Sequence, residues 1–99
     1  MHPEKNLQKR IARDRIEYLF RMAAEQFPTH TERAHRYVVL ARSLSMKYKV
    51  PIPSMLKRKL CKQCMHFLQF GKNASIRYHK SRVIISCKDC GNIMRYPVT

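Results

Sequence analysis

The sequence has 99 residues, with 21 Lys and Arg against 6 Asp and Glu, and carries a formal charge of +15. That length suits one small domain or two subdomains and excludes a large enzyme core. So lopsided a charge calls for a polyanionic partner, and no apolar run approaches the roughly 20 residues that span a membrane. Residues 1 to 10 lack the apolar stretch of a secretory signal, so reduced cysteines and a cytoplasmic location are expected.

In chain order, residues 4 to 27 predict a first helix. Leu7, Ile11, Tyr18 and Met22 fall on one side of it, and Ala12, Ile16, Leu19, Ala23 and Phe27 fall beside them. Pro28 ends the helix. Thr29-His30-Thr31-Glu32 reads as a capping box, with the Thr29 hydroxyl accepting from the Glu32 amide. A second helix is expected from about 30 to 48, with an apolar arc of Ala34, Tyr37, Val38, Leu40, Ala41, Leu44 and Tyr48. The short connection favours an antiparallel pair. The stripe on the first helix is wider than one partner helix covers, and two readings stay open. Either a second protein covers the remainder, with Ile11, Ile16, Tyr18, Leu19, Met22, Tyr37, Val38 and Leu44 as candidate contacts, or the C-terminal half folds back over it.

Val50-Pro51-Ile52-Pro53 predicts a stiff extended link. It leads into Lys57-Arg58-Lys59 and then into short strands at 66–70, 75–79, 82–86 and 92–98, with Lys80-Ser81 near a hairpin turn. The expected division is a two-helix region at 1–50, a basic linker at 51–60 and a metal-stapled ribbon at 61–99, a small α+β fold.

The ribbon is read from four cysteines. Cys61 and Cys64 form one Cys-x-x-Cys pair, Cys87 and Cys90 the other, with twenty-two residues between them. Each pair can fold into a knuckle whose two sulfurs face one ion, and two knuckles supply the four thiolates of a tetrahedral structural Zn²⁺. Two disulfides or four free thiols are the competing readings; disulfides suit small secreted domains. A site with four protein ligands has no open position for substrate, so one structural zinc, not a catalytic one, is expected. Two-metal hydrolysis needs clustered carboxylates, and the six acidic residues are scattered. The five histidines show no ligand spacing, and no catalytic residue is assigned.

Between Glu32 and Asp89 there is no acidic residue, while residues 33 to 88 hold fourteen basic ones. The basic residues spread over several elements rather than along one amphipathic face, which favours nucleic acid over a membrane surface. Candidates for phosphate contact are Arg42, Lys47, Lys49, Lys57, Arg58, Lys59 and Lys62 around the second helix and linker, and Arg77, Lys80 and Arg82 in the hairpin. Phe67, Phe70, Tyr78 and Tyr96 serve either as ribbon core or as platforms for unpaired bases. Charge leaves RNA, DNA and a ribosomal site open.

Several segments resemble one family: Arg36 to Arg42 (Arg-Tyr-Val-Val-Leu-Ala-Arg), Met46 to Val50, Lys57-Arg58 before the first cysteine pair, and Cys87-x-x-Cys90-Gly91 followed by Arg95-Tyr96-Pro97. These are similar to protein component four of archaeal ribonuclease P. The resemblance implies an L-shaped protein that pairs through its helices with ribonuclease P protein component one. The pair then binds the specificity domain of the ribonuclease P RNA, and the holoenzyme removes 5′ leaders from precursor tRNA by RNA-based catalysis. It implies that Cys61, Cys64, Cys87 and Cys90 hold zinc, and that Arg42, Lys47, Lys49, Lys57, Arg58 and Lys62 are basic positions of the family. One departure stands out: the family's first knuckle usually continues with Gly, and here the residue is Met65.

Overall fold

The computed structural model describes the backbone of residues 3–97 and the side chains of residues 6–97. Three helices precede three strands: α1 Pro3–Gln26, α2 Thr31–Tyr48, α3 Ser54–Lys57, β1 Ala74–His79, β2 Arg82–Cys87 and β3 Ile93–Pro97. The molecule is flat, 43 × 34 × 19 Å.

α1 and α2 run antiparallel, so that Gln8 and Lys9 near the start of α1 lie beside Tyr48 and Lys49 at the end of α2. Only part of the apolar stripe on α1 is buried. Ala12, Ile16, Leu19, Phe20, Ala23 and Phe27 meet Ala34, Val38 and Ala41 of α2, where the small Ala side chains let the two backbones approach. Leu7, Ile11 and Tyr18 stay more than half exposed. Phe20, outside the anticipated stripe, is buried because the link and α3 cover that side of α1.

Local bonding overrides the expected capping box. His30, not Thr29, is the residue before α2, and it makes no side-chain cap. The turn is too tight for Thr29 to reach the Glu32 amide: His30 N–H still donates to Gln26 O at 2.6 Å, and the Thr31 hydroxyl donates back to Phe27 O at 3.0 Å. At its other end α2 closes on Lys49, which adopts the left-handed conformation (φ 55°) and donates its N–H to Ser45 O.

The linker is less extended than expected, because Ser54–Lys57 coil into one helical turn after Pro53. Val50, Ile52, Leu60 and Phe67 complete the helical core, so the C-terminal half does fold back onto the helices, though not over Leu7, Ile11 and Tyr18.

β1, β2 and β3 form an antiparallel meander in that order. The hairpin turn is Lys80-Ser81, both with positive φ (47° and 62°), the geometry that matches strand twist in a two-residue loop. The expected strand at 66–70 is absent. Their strand-like pairing is limited to single bridges, Leu60 with Phe67 and Phe70 with Ala74. Their backbone groups are taken elsewhere: Leu68 N–H donates to Lys59 O, and Gln69 N–H donates to the Asn73 side chain. The segment instead covers one face of the sheet, where Leu68 and Cys61 pack on Val83, Ile85, Cys87 and Met94. Val98, counted in the last expected strand, lies outside the described residues.

Candidate metal centre and RNA-binding surfaces

The two Cys-x-x-Cys segments fold alike. Met65 N–H donates to Cys61 O at 3.0 Å, and Gly91 N–H donates to Cys87 O at 2.9 Å. Cys61 N–H then donates to His66 O at 3.1 Å, and Cys87 N–H to Asn92 O at 2.9 Å. Met65 and Gly91 occupy the same place and share the left-handed conformation, φ 61° and 80°. A glycine takes it freely, whereas a side chain there is held against a strain of about 1–2 kcal/mol. Met65 therefore makes the turn that a glycine makes in the second knuckle.

The four sulfurs lie within 4.8 Å of one another. Cys61 Sγ is 3.5 Å from Cys90 Sγ, and Cys64 Sγ is 3.7 Å from Cys87 Sγ. Tetrahedral thiolates about 2.3 Å from zinc sit about 3.8 Å apart, so the tetrad fits a single ion without rearrangement. A disulfide needs about 2.05 Å, and all four cysteines are free. Burial pushes the Cys61 thiol up, but the Cys64 and Gln63 amides outweigh it and hold the group at about 7. Burial also drives Cys64 up, to about 12, and Cys87 upward. Four thiols this close cannot all ionise without a cation among them. Four cysteines that can bind one metal ion are thus assembled.

Around the tetrad lies a polar network that sequence spacing did not disclose. Asp89 Oδ2 accepts from His66 Nδ1 at 2.9 Å and from Asn73 Nδ2 at 3.0 Å. These bonds hold the Asp89 carboxyl below its usual range. Asn73, buried, also donates to Phe67 O at 2.8 Å, and its backbone O accepts from Lys88 N–H. One side chain thus ties the exit of the first knuckle to the second. His66 stacks on His35 of α2 with ring centroids 3.8 Å apart, and His35 Nδ1 accepts from Phe67 N–H at 3.0 Å. Phe67 tilts against Phe27, centroids 5.8 Å apart. Helices and ribbon therefore meet through His35, Phe27, Phe67 and His66. His35, His66 and Asp89 come close enough to resemble a second metal group. The stacked imidazoles argue against it, since lone pairs in parallel planes do not converge on one ion.

The basic candidates separate into three groups. Arg42, Lys47, Lys49, Lys57 and Lys62 are exposed on α2, the linker and the first knuckle. Arg77, Lys80 and Arg82 are exposed at the hairpin. Arg58 and Lys59 are half-buried. Arg58 is engaged internally: Nη2 donates to Pro97 O at 3.2 Å, and the guanidinium lies 5.6 Å from the Tyr96 ring centre. Lys62 Nζ lies 5.2 Å from the same ring. Among the aromatics, Phe67 is core and Tyr96 is half-buried, while Tyr78 is 72% exposed. Arg95, absent from the candidates, is exposed on β3 opposite Ile84. Strand register, which the sequence pattern does not state, is what brings it near Arg77.

The candidate partner contacts divide as well. Ile16, Leu19 and Val38 are buried between α1 and α2, so they are core positions and not surface. Packing between the helices takes the half of the stripe nearest α2. Ile11 and Tyr18 are exposed, and Met22, Tyr37 and Leu44 half-exposed.

Fold and site together define a small α+β protein, in which an antiparallel helix pair carries a tetracysteine ribbon in a strongly basic chain. Residues 15–95 match the family model described as the RNAse P Rpr2/Rpp21/SNM1 subunit domain. The chain is 44% identical over 94 residues to ribonuclease P protein component 4 of Methanococcoides burtonii, covering 95% of this chain and 87% of that one. It is 46% identical over 97 residues to the component 4 proteins of Thermococcus kodakarensis and Pyrococcus furiosus, covering 95% of this chain and 74% and 83% of theirs. Its structure is similar, with a TM-score of 0.84 and 40% identity, to a chain in the cryo-EM structure of archaeal ribonuclease P with mature tRNA, over 91% of this chain and 78% of that one. A solved structure described as Pfu Rpp21 matches with a TM-score of 0.59 and 43% identity, over 87% of this chain and 99% of that one.

The chain belongs to the ribonuclease P protein component 4 family, and so is a protein subunit of the ribonucleoprotein that processes tRNA. The ribosomal reading finds no support in these matches. Among the described residues no helix is long and apolar enough to cross a membrane.

Proposed function

We propose that this chain acts as a non-catalytic, RNA-binding subunit. It holds the specificity domain of the ribonuclease P RNA so that the RNA can remove the 5′ leader from precursor tRNA. The distribution of charge carries this reading. Fourteen basic residues and no acidic one lie between 33 and 88, and Asp89, the one carboxylate side chain beyond them, is bonded to His66 and Asn73. Such a surface binds phosphates and releases counterions, but it offers no carboxylate cluster for metal-assisted hydrolysis. The tetracysteine cluster would hold one Zn²⁺ as a structural staple, because thiolates are the donors that zinc prefers and the sulfur spacing suits it.

The division of labour follows the chain. Residues 1–50 would present the exposed side of the helix pair, with Ile11 and Tyr18 at its centre and Met22, Tyr37 and Leu44 at its margin, to ribonuclease P protein component one. Residues 51–60 would carry Lys57 and Lys59 toward RNA, with Arg58 holding linker and β3 together. Residues 61–99 would form the zinc ribbon and its hairpin, with Arg77, Lys80 and Arg82. Arg42, Lys47, Lys49 and Lys62 would complete the RNA-facing set. A cytoplasmic site of action fits a precursor-tRNA substrate.

Reconstitution tests the proposal. Cleavage of precursor tRNA by ribonuclease P RNA is measured with component one present, with and without this chain, across a series of Mg²⁺ concentrations. The expected result is faster cleavage and a lower Mg²⁺ requirement when the chain is present. Identical cleavage at every concentration would sink it, and cleavage by the purified chain without RNA would show it to be an enzyme in its own right.

A further inference from the structure

Because β2 pairs with both β1 and β3, the register assigns each residue of the sheet to one of two faces. Val83, Ile85, Cys87, Met94 and Tyr96 share one face, covered by the first knuckle and the segment after it. Among the described residues, no element of the structure is packed on the opposite face. Its central row is Arg77, Ile84 and Arg95, directly opposite one another across three strands. Arg82 follows on the same face, two residues along β2 from Ile84.

Three arginines on one uncovered face repel one another unless an anion joins them. Among the described residues, nothing on the ribbon supplies that anion. Asp89 is the one acidic side chain after Glu32, and it is bonded to His66 and Asn73. Ile84 is nonetheless buried, which fits arginine stems lying along the sheet with their guanidinium groups outermost. The face has no tyrosine or phenylalanine; Tyr78 and Tyr96 register with Val83 on the other side. His79, exposed opposite Arg82, is the one aromatic ring on the uncovered face, so the face is dominated by planar phosphate-binding forks.

The cations of the linker and first knuckle lie elsewhere. Arg58 and Lys62 rest on the ring of Tyr96, on the covered face. The ribbon thus bears cations on both sides of one sheet.

We infer that the uncovered face, through Arg77, Arg82 and Arg95, is a second RNA-phosphate site. The ribbon is thereby held between two segments of one folded RNA. This rests on the RNA-binding reading above and adds to it a second site, a role for Arg95 and a two-sided geometry.

The test measures binding of the zinc-loaded full chain to ribonuclease P RNA as a function of salt. Four proteins are compared: wild type, R77Q/R82Q/R95Q, K57A/K59A/K62A and the combined variant. Gln keeps much of the stem over Ile84, and zinc content and circular dichroism report folding. An R77K/R82K/R95K variant keeps the charge and covers the case in which the Gln variant fails to fold. Each phosphate contact contributes about 0.7–0.9 to the slope of log K against log salt. The Gln variant is expected to lose about 2–3 from that slope, the Lys variant little, and the combined variant the sum of the two triple losses. A Gln variant with the wild-type slope beside a weakened K57A/K59A/K62A variant would overturn the second site while leaving RNA binding intact. A combined variant no worse than K57A/K59A/K62A would show that both faces serve one segment. Unchanged RNA slopes with lost assembly into the holoenzyme would assign the face to an acidic protein. Wild-type slopes in every variant would remove the RNA-binding reading itself.

Discussion

The helix pair and the ribbon solve the same problem of size by different means. The helices bury a continuous core of Ile16, Phe20, Ala34 and Val38, to which the chain adds Val50, Ile52, Leu60 and Phe67. Among the described residues, the ribbon has seven buried in its own cluster, two of them cysteines. A core so thin does not hold three short strands by apolar burial alone, and a metal bound by the four cysteines would supply what is missing. The helical part should therefore survive losses that dissolve the ribbon.

The widest break in that comparison comes from the metal. Structural zinc in small modules binds with an apparent free energy of about 10–16 kcal/mol, and most of it is folding free energy. Cys87→Ser, or a strong chelator, is expected to abolish the dispersed amide spectrum of residues 61–97. Helical circular dichroism should fall only slightly. Collapse of both signals together would show one cooperative core in which the helices depend on the ribbon.

Phe67 is the next point of attack, since it belongs to the helical core by packing and to the ribbon by sequence. Phe67→Ala is expected to cost about 3–5 kcal/mol. Denaturant unfolding followed separately by helical circular dichroism and by a zinc-release dye should show both transitions shifted. A shift in one alone would place Phe67 in that part only.

His35 gives a smaller effect with a pH signature. Its Nδ1 accepts from Phe67 N–H, so only the neutral ring makes the bond. Burial lowers its pKa from 6.5, with His66 adding to the effect and Asp89 and Glu32 opposing it. A lowered folded-state pKa means that the unfolded chain binds the proton more readily. Stability from this contact is whole above about 6.5 and is lost as pH falls through the window below it. His35→Ala leaves a part-buried N–H without its partner, at a cost of about 1–3 kcal/mol. It should also flatten that part of the pH profile. A variant with an undiminished pH dependence would assign the effect to another group.

How much of this was legible in the residues differs between the two parts. The paired Cys-x-x-Cys pattern states the four-cysteine cluster outright, because a site able to bind a metal demands that spacing. Helical periodicity locates α1 and α2 but does not say which half of a broad stripe is core. Ile16 and Ile11 look equivalent in sequence, and only packing on α2 buries the first and leaves the second open. The strand expected at 66–70 failed because its residues have strand-like composition but no neighbour in register. His35, His66, Asn73 and Asp89 were invisible as a group for the same reason: they come from four segments that only the fold brings together.

The smallest expected effect separates the two knuckles from each other. They share their hydrogen bonds and their left-handed fifth residue, yet one has Met65 and the other Gly91. No atom lies within 4 Å of the place where a Cβ on Gly91 would sit, so Gly91→Ala meets only backbone strain, about 1–2 kcal/mol. Met65→Gly relieves the same strain, offset by about 0.5–1 kcal/mol of added freedom in the unfolded chain and by lost contacts of a half-buried side chain. The expected outcome is an asymmetric pair: Gly91→Ala loosens zinc measurably in a chelator competition, and Met65→Gly tightens it slightly or leaves it unchanged. If Met65→Gly weakened zinc as much as Gly91→Ala, the Met65 side chain would be a support of the first knuckle rather than a tolerated strain.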